Sequence, residues 1–169
     1  TLCNQARVLA DNALDVRGAL NLLGGSVLTH SIGLESGLRI SAKQVYSDAD
    51  SSIDVSARGY RGGNQPGNAQ VYGITLGNLP GAQYRSGGSY GGYGGVHDGS
   101  GSNPPYGHPY DAEYLGSGGS RGYHGGDWGG NGGGLVRISA DESIEVQGSI
   151  FANGSNGGSS GGSVSSGAV

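Results

Sequence analysis

Leu38-Arg39-Ile40-Ser41-Ala42 is the stretch on which the fold turns. Apolar and polar residues alternate along it, the period of a strand with one buried face. It returns far along the chain as Val136-Arg137-Ile138-Ser139-Ala140, sharing Arg-Ile-Ser-Ala. Ala13-Leu14-Asp15-Val16-Arg17-Gly18-Ala19-Leu20 has a second counterpart in Ser143-Ile144-Glu145-Val146-Gln147-Gly148-Ser149-Ile150. Around these lie further short runs that stop at glycine, among them Val27-Leu28-Thr29-His30-Ser31-Ile32 before Gly33, and Ile53-Asp54-Val55 before Gly59. Repeated strand units of this length predict an all-β fold, a right-handed parallel β-helix (solenoid), in which each coil buries its inner face only by stacking on the next. Ile40, Ile53, Val55, Ile138, Ile144, Val146 and Ile150 are expected in one core, with Arg39, Asp54, Arg137 and Glu145 facing out. One helical turn or two is expected between Gln5 and Leu14, where Ala6, Leu9, Ala10 and Ala13 sit at helical spacing.

The chain reads as a single domain, 1–169, in three zones. Strand coils fill 14–58 and 135–152. Between them, residues 59–134 hold 27 of the 39 glycines and nine of the ten tyrosines. A structureless loop of that length does not suit a compact domain. The tyrosines favour order, because amphipathic rings anchor well and suit linkers poorly. The zone is therefore expected to pack on the strands as a flank of extended glycine-rich segments, close approach of backbones being what glycine permits. Tyr90, Tyr93, Tyr106, Tyr110, Tyr114 and Tyr123 are expected to lie over it.

Composition excludes several classes of function. A net charge of −4 leaves no basic footprint for nucleic acid. No apolar run approaches the ~20 residues of a membrane span. The lone cysteine, Cys3, makes neither an internal disulfide nor a cysteine metal site. One lysine against eight arginines, with abundant Gly, Ser, Asn and Tyr, has the flavour of an extracellular protein. The start at Thr1 and the stop within a Gly/Ser stretch suggest a processed product or a piece of a longer chain.

The order of motifs carries a resemblance. Ile53-Asp54-Val55-Ser56-Ala57-Arg58-Gly59-Tyr60 leads into Gly62-Gly63 and then Gly87-Gly88-Ser89-Tyr90-Gly91-Gly92. Tyr106-Gly107-His108-Pro109 and Leu115-Gly116-Ser117-Gly118-Gly119 follow. Gly129-Gly130-Asn131-Gly132-Gly133-Gly134-Leu135-Val136-Arg137-Ile138 and Gly148-Ser149-Ile150-Phe151-Ala152-Asn153-Gly154 close the series. Over roughly residues 14–164 this resembles the glycine-rich β-solenoid segments of large bacterial surface proteins and of plant glycine-rich proteins. The resemblance implies a parallel β-helix, secretion and a place within a larger surface protein. It implies no catalytic residues. The chain departs from the pattern after Gly162, where only Ser163-Val164-Ser165 stands in place of a further strand.

The densest polar cluster is Arg121-Gly122-Tyr123-His124-Gly125-Gly126-Asp127-Trp128. Exposed Tyr and Trp stack on sugar rings, and Asp, Asn and Arg bond the hydroxyls. Tyr123, His124, Asp127 and Trp128, with Tyr106 and Tyr110, are the glycan-binding candidates. The competing reading makes Trp128 and Tyr123 plugs that fix the glycine zone to the strands. His97-Asp98 and His108-Pro109-Tyr110-Asp111 match no metal-ligand spacing. Asp48, Asp50 and Asp54 read as a solvated turn rather than a calcium loop. Asn153-Gly154-Ser155 satisfies a glycosylation sequon. No catalytic residue, metal or cofactor is assigned.

The expected function is a non-catalytic structural or adhesive module of an extracellular or cell-surface assembly, self-associating through its ends. Its expected partners are copies of itself, neighbouring domains of a longer chain, or polysaccharide. Two alternatives stay open. One is a glycan-binding module using exposed Tyr and Trp. The other is a polysaccharide lyase or hydrolase, for which Asp98, Asp111, Glu113 and Asp127 offer carboxylates.

Overall fold

The computed structural model describes residues 1–96, 101–108, 110–123 and 126–158. The alternating stretches become strands. From the first zone come β1 (Arg7–Leu9), β2 (Leu14–Leu22), β3 (Val27–Thr29), β4 (Leu38–Ser47) and β5 (Ser52–Asp54). The glycine zone contributes the antiparallel hairpin β6 (Ile74–Thr75) and β7 (Leu79–Pro80), and the last zone β8 (Val136–Val146) and β9 (Ser149–Phe151). Along β4 the alternation is visible as burial: Leu38, Ile40, Ala42, Val45 and Ser47 are buried, while Arg39, Ser41, Lys43 and Gln44 are exposed. The two consecutive exposed residues mark an irregularity between Ala42 and Gln44, which re-phases the strand so that Val45 again points inward.

All strands of the first and last zones pair in parallel. One sheet has the order β1-β3-β5-β9 and the other β2-β4-β8. Their inner faces share one core that includes Leu20, Leu22, Leu28, Leu38, Ile40, Val45, Ile53 and Val55. The first repeat is a pair of neighbours in the sheet: Arg39 aligns with Arg137, Ile40 with Ile138, and Ser41 with Ser139. The second repeat has no such meaning. Leu14 aligns with Ile40, the partner of Ile138, whereas Ile144 aligns with Val45, the partner of Leu20.

Three expectations are corrected here. The chain is not the right-handed parallel β-helix expected. It forms two short parallel sheets, and the described residues that separate β5 from β8 add no strand to either of them. Alternation and glycine stops specify strands and their pairing; they do not specify that the winding continues, and here a separate hydrogen-bonded body intervenes. The helical turn expected between Gln5 and Leu14 is also absent: β1 takes its place, with Leu9 left exposed. Ile144 is 51% exposed rather than in the core, because β8 is the outer strand of its sheet and has a neighbour on one side only. Ile138 and Ile150 do pack against the core, partly buried.

The glycine zone is built of extended segments bonded sideways. Tyr60 and Gly63 donate backbone N–H bonds to the carbonyls of Gly116 and Gly119 (3.0 and 2.9 Å). Gly116 and Gly119 donate in turn to Gly133 and Gly130 (2.9 and 2.8 Å). Bonds that recur every third residue and run between segments are those of threefold extended chains, which make none internally. Segment 115–121 lies at the middle. Besides the segments 59–63 and 129–134, it bonds Ile74 through the Gly118 N–H and Ser86 through the Ser120 N–H, both at 2.9 Å. Ser117, Gly118, Gly119 and Ser120 are accordingly buried although none is hydrophobic. Spacing this close requires glycine: a Cβ on Gly132 would overlap the Gly116 carbonyl oxygen.

Two buried joints, among other contacts, tie this body to the sheets. Tyr60, Leu115 and Leu135 form a second small core. The Tyr60 hydroxyl donates to Glu35 Oε1 (2.8 Å), and burial together with that carboxylate raises its pKa. At the other joint, His30 is fully buried. Its Nδ1 bonds the Ser31 carbonyl (2.8 Å), and its Nε2 accepts the Leu135 N–H (3.3 Å). That pair of contacts defines a neutral ring with the proton on Nδ1.

Candidate functional site

The six residues expected to meet a glycan do not converge. Tyr106 is an internal anchor. Its hydroxyl donates to the Leu115 carbonyl (2.6 Å) and accepts from Ser117 Oγ (2.9 Å). Its ring meets Tyr90 and Tyr114 edge-on at 5.3 and 6.3 Å. Burial pushes its pKa up to about 12. Asp127 is buried, and its backbone carbonyl accepts from the Asn64 amide (2.8 Å). Trp128 is half-exposed and holds the segment that follows β9: its carbonyl accepts the Gly158 N–H (2.7 Å), and a Cβ on Gly158 would stand 3.2 Å from the indole. His124, together with His97, Asp98 and Pro109, lies outside the described residues, as do Ser163, Val164 and Ser165.

Tyr123 and Tyr110 are both exposed, in different places. Tyr123 lies beside Arg85, whose guanidinium carbon is 5.7 Å from the ring centroid. Together they line a cavity of about 410 Å³ with Val71, Tyr84, Arg121 and Gly122. Tyr110 is 93% exposed and borders a larger groove of about 710 Å³. The floor of that groove is the outer face of β2, β4 and β8 near their starts. Asp15, Ser41 and Ser139 form one aligned row across it, and Arg39 and Arg137 form the next. A tight turn supplies the wall. His108 and Asp111 bridge across it, and the Tyr110 N–H donates to His108 Nδ1 (3.2 Å). The turn is tied to the floor twice: Arg137 Nη2 meets Asp111 Oδ1 at 2.7 Å, and Arg137 Nε donates to the Ala112 carbonyl at 3.2 Å.

Of the groove residues, only Tyr110 stood among the glycan candidates. Arg39, Arg137, Asp15, Ser41 and Ser139 were missed, although the repeat carried a signal for them. Two copies of Arg-Ile-Ser-Ala that pair in register set arginine beside arginine and serine beside serine on one face. Among the described residues, no group of three or more His, Cys, Asp or Glu side chains is placed to hold a metal ion. Among the described residues, no helix is long and apolar enough to cross a membrane. Cys3 is exposed and unpaired. No family model, curated protein or solved structure matches the chain.

Proposed function

We propose that this chain is a non-catalytic structural module of an extracellular or cell-surface assembly, which associates head to tail through the two outer edges of its four-stranded sheet. The observation that carries the reading is the exposure of one apolar residue on each edge. Leu9, on β1, is 56% exposed, and Phe151, on β9, is 44% exposed. Both point away from the core, and both lie in the same row of the sheet. Leu9 aligns with Thr29, and Phe151 with Asp54, each one residue beyond the aligned pair Leu28 and Ile53. A parallel edge presents unpaired N–H and C=O groups that template a further strand. Setting β1 of one copy against β9 of another continues the sheet and brings Leu9 onto Phe151. The two edges differ from each other, so the contact is heterologous, and copies add in series unless the rotation between them closes a ring.

Sedimentation velocity over a range of concentrations tests the proposal. The native chain is expected to form species that grow with concentration. Leu9→Lys and Phe151→Lys are each expected to stay monomeric, because each lacks one edge. Mixed together they are expected to give a dimer and nothing larger, through the two edges left intact. A native chain that is monomeric at the highest attainable concentration overturns the reading. A mixture of the two variants that stays monomeric overturns the head-to-tail geometry.

A further inference from the structure

We infer that the groove over β2, β4 and β8 is a binding site for a neutral oligosaccharide. Its size of about 710 Å³ lies within the range of small-molecule sites. Its charges balance: Arg39 and Arg137 against Asp15 and Asp111. Arg137 is committed to Asp111 and to the wall. Arg39 uses its Nε–H on the Ser36 carbonyl (3.0 Å), which leaves its Nη hydrogens without a partner among the described residues. The Asp15 carboxylate likewise has no partner among them.

An open guanidinium and an open carboxylate over one floor select the ligand. An anion that pairs with Arg39 is opposed by Asp15. A cation that pairs with Asp15 is opposed by Arg39. A polyol satisfies both, accepting hydrogen bonds from the guanidinium and donating to the carboxylate through neighbouring hydroxyls. Ser41 and Ser139 add hydroxyls of their own. They sit on adjacent strands about 4.8 Å apart, so the polar contacts repeat across the floor. Tyr110 supplies what a polyol alone does not need: a flat amphipathic ring, almost wholly exposed, on which the apolar face of a sugar stacks. Arg137 ties the backbone of the wall to the floor beside Tyr110, so less of the wall has to be ordered when a ligand arrives.

Isothermal titration with cellohexaose, xylohexaose and mannohexaose as neutral probes, and with hexagalacturonate as the acidic one, tests the assignment. At least one neutral hexasaccharide is expected to bind, and more tightly than hexagalacturonate. Tyr110→Ala and Arg39→Ala are each expected to weaken that binding at least tenfold. Both side chains are exposed, so the thermal midpoint of each variant is expected to match the native chain. Tyr123→Ala, in the other cavity, is expected to leave binding unchanged. Absence of heat with all three neutral probes overturns the inference. So does tighter binding of hexagalacturonate, or a loss on Tyr123→Ala that Tyr110→Ala does not share.

Discussion

Replacing Gly132 with alanine would drive a methyl group into the Gly116 carbonyl, where neither backbone can yield without breaking bonds to its neighbours. Gly132→Ala is therefore expected to lower stability by more than about 3 kcal/mol in chemical denaturation. Gly18 lies in β2 with open space at its Cβ position and an ordinary φ. Gly18→Ala is expected to change stability by less than about 1 kcal/mol, in either direction. A second residue-scale consequence concerns His30. Desolvation, helped by the charge of Arg58, lowers its pKa against the opposing effects of its bond to Ser31 and of Asp11. Its folded pKa thus lies below the unfolded value of about 6.5. The stability it contributes is fully present above that value and is lost as pH falls towards the folded pKa, because the unfolded chain takes up the proton first. The urea midpoint is expected to fall with pH from about 6.5 downwards, and His30→Gln is expected to flatten that part of the profile.

At the scale of the element, position within the sheet decides what a side chain contributes. Ile40 sits on the middle strand and is 2% exposed, whereas Ile144 sits on an outer strand at 51%. Ile40→Ala is expected to cost about 2–5 kcal/mol, and Ile144→Ala under about 1 kcal/mol, in the same denaturation measurement. A smaller loss at Ile40 than at Ile144 would show the register to be wrong. Alternation in Leu38–Ser47 and its echo in Val136–Val146 made these strands legible, because period two follows from the pleat alone. That Ile144 would be left uncovered was not legible, since it depends on how many strands join the sheet. The same limit produced the expectation of a β-helix: short-range pattern says which residues pair well, and long-range chain path decides how often. The candidate site was legible only at Tyr110, where an aromatic ring stood out in the sequence. Its floor is made of ordinary arginine, serine and aspartate, which gain meaning only when three strands set them in rows.

The whole molecule divides its interior into two kinds of material. Between the parallel sheets the interior is Leu, Ile and Val. Around segment 115–121 it is peptide backbone, with glycine and serine in place of side chains that would fill a core. These two parts respond differently to heat, because the heat capacity released on unfolding rises with exposed apolar surface and falls with exposed polar surface. Melting the glycine body uncovers mainly amide groups. Scanning calorimetry is therefore expected to give an increment well below the ordinary ~12–15 cal/mol/K per residue. A small increment flattens the curve of free energy against temperature, so this protein is expected to change little in stability between a cold and a warm environment. An increment at the ordinary value would mean that the glycine segments unfold with no more amide exposure than any other chain.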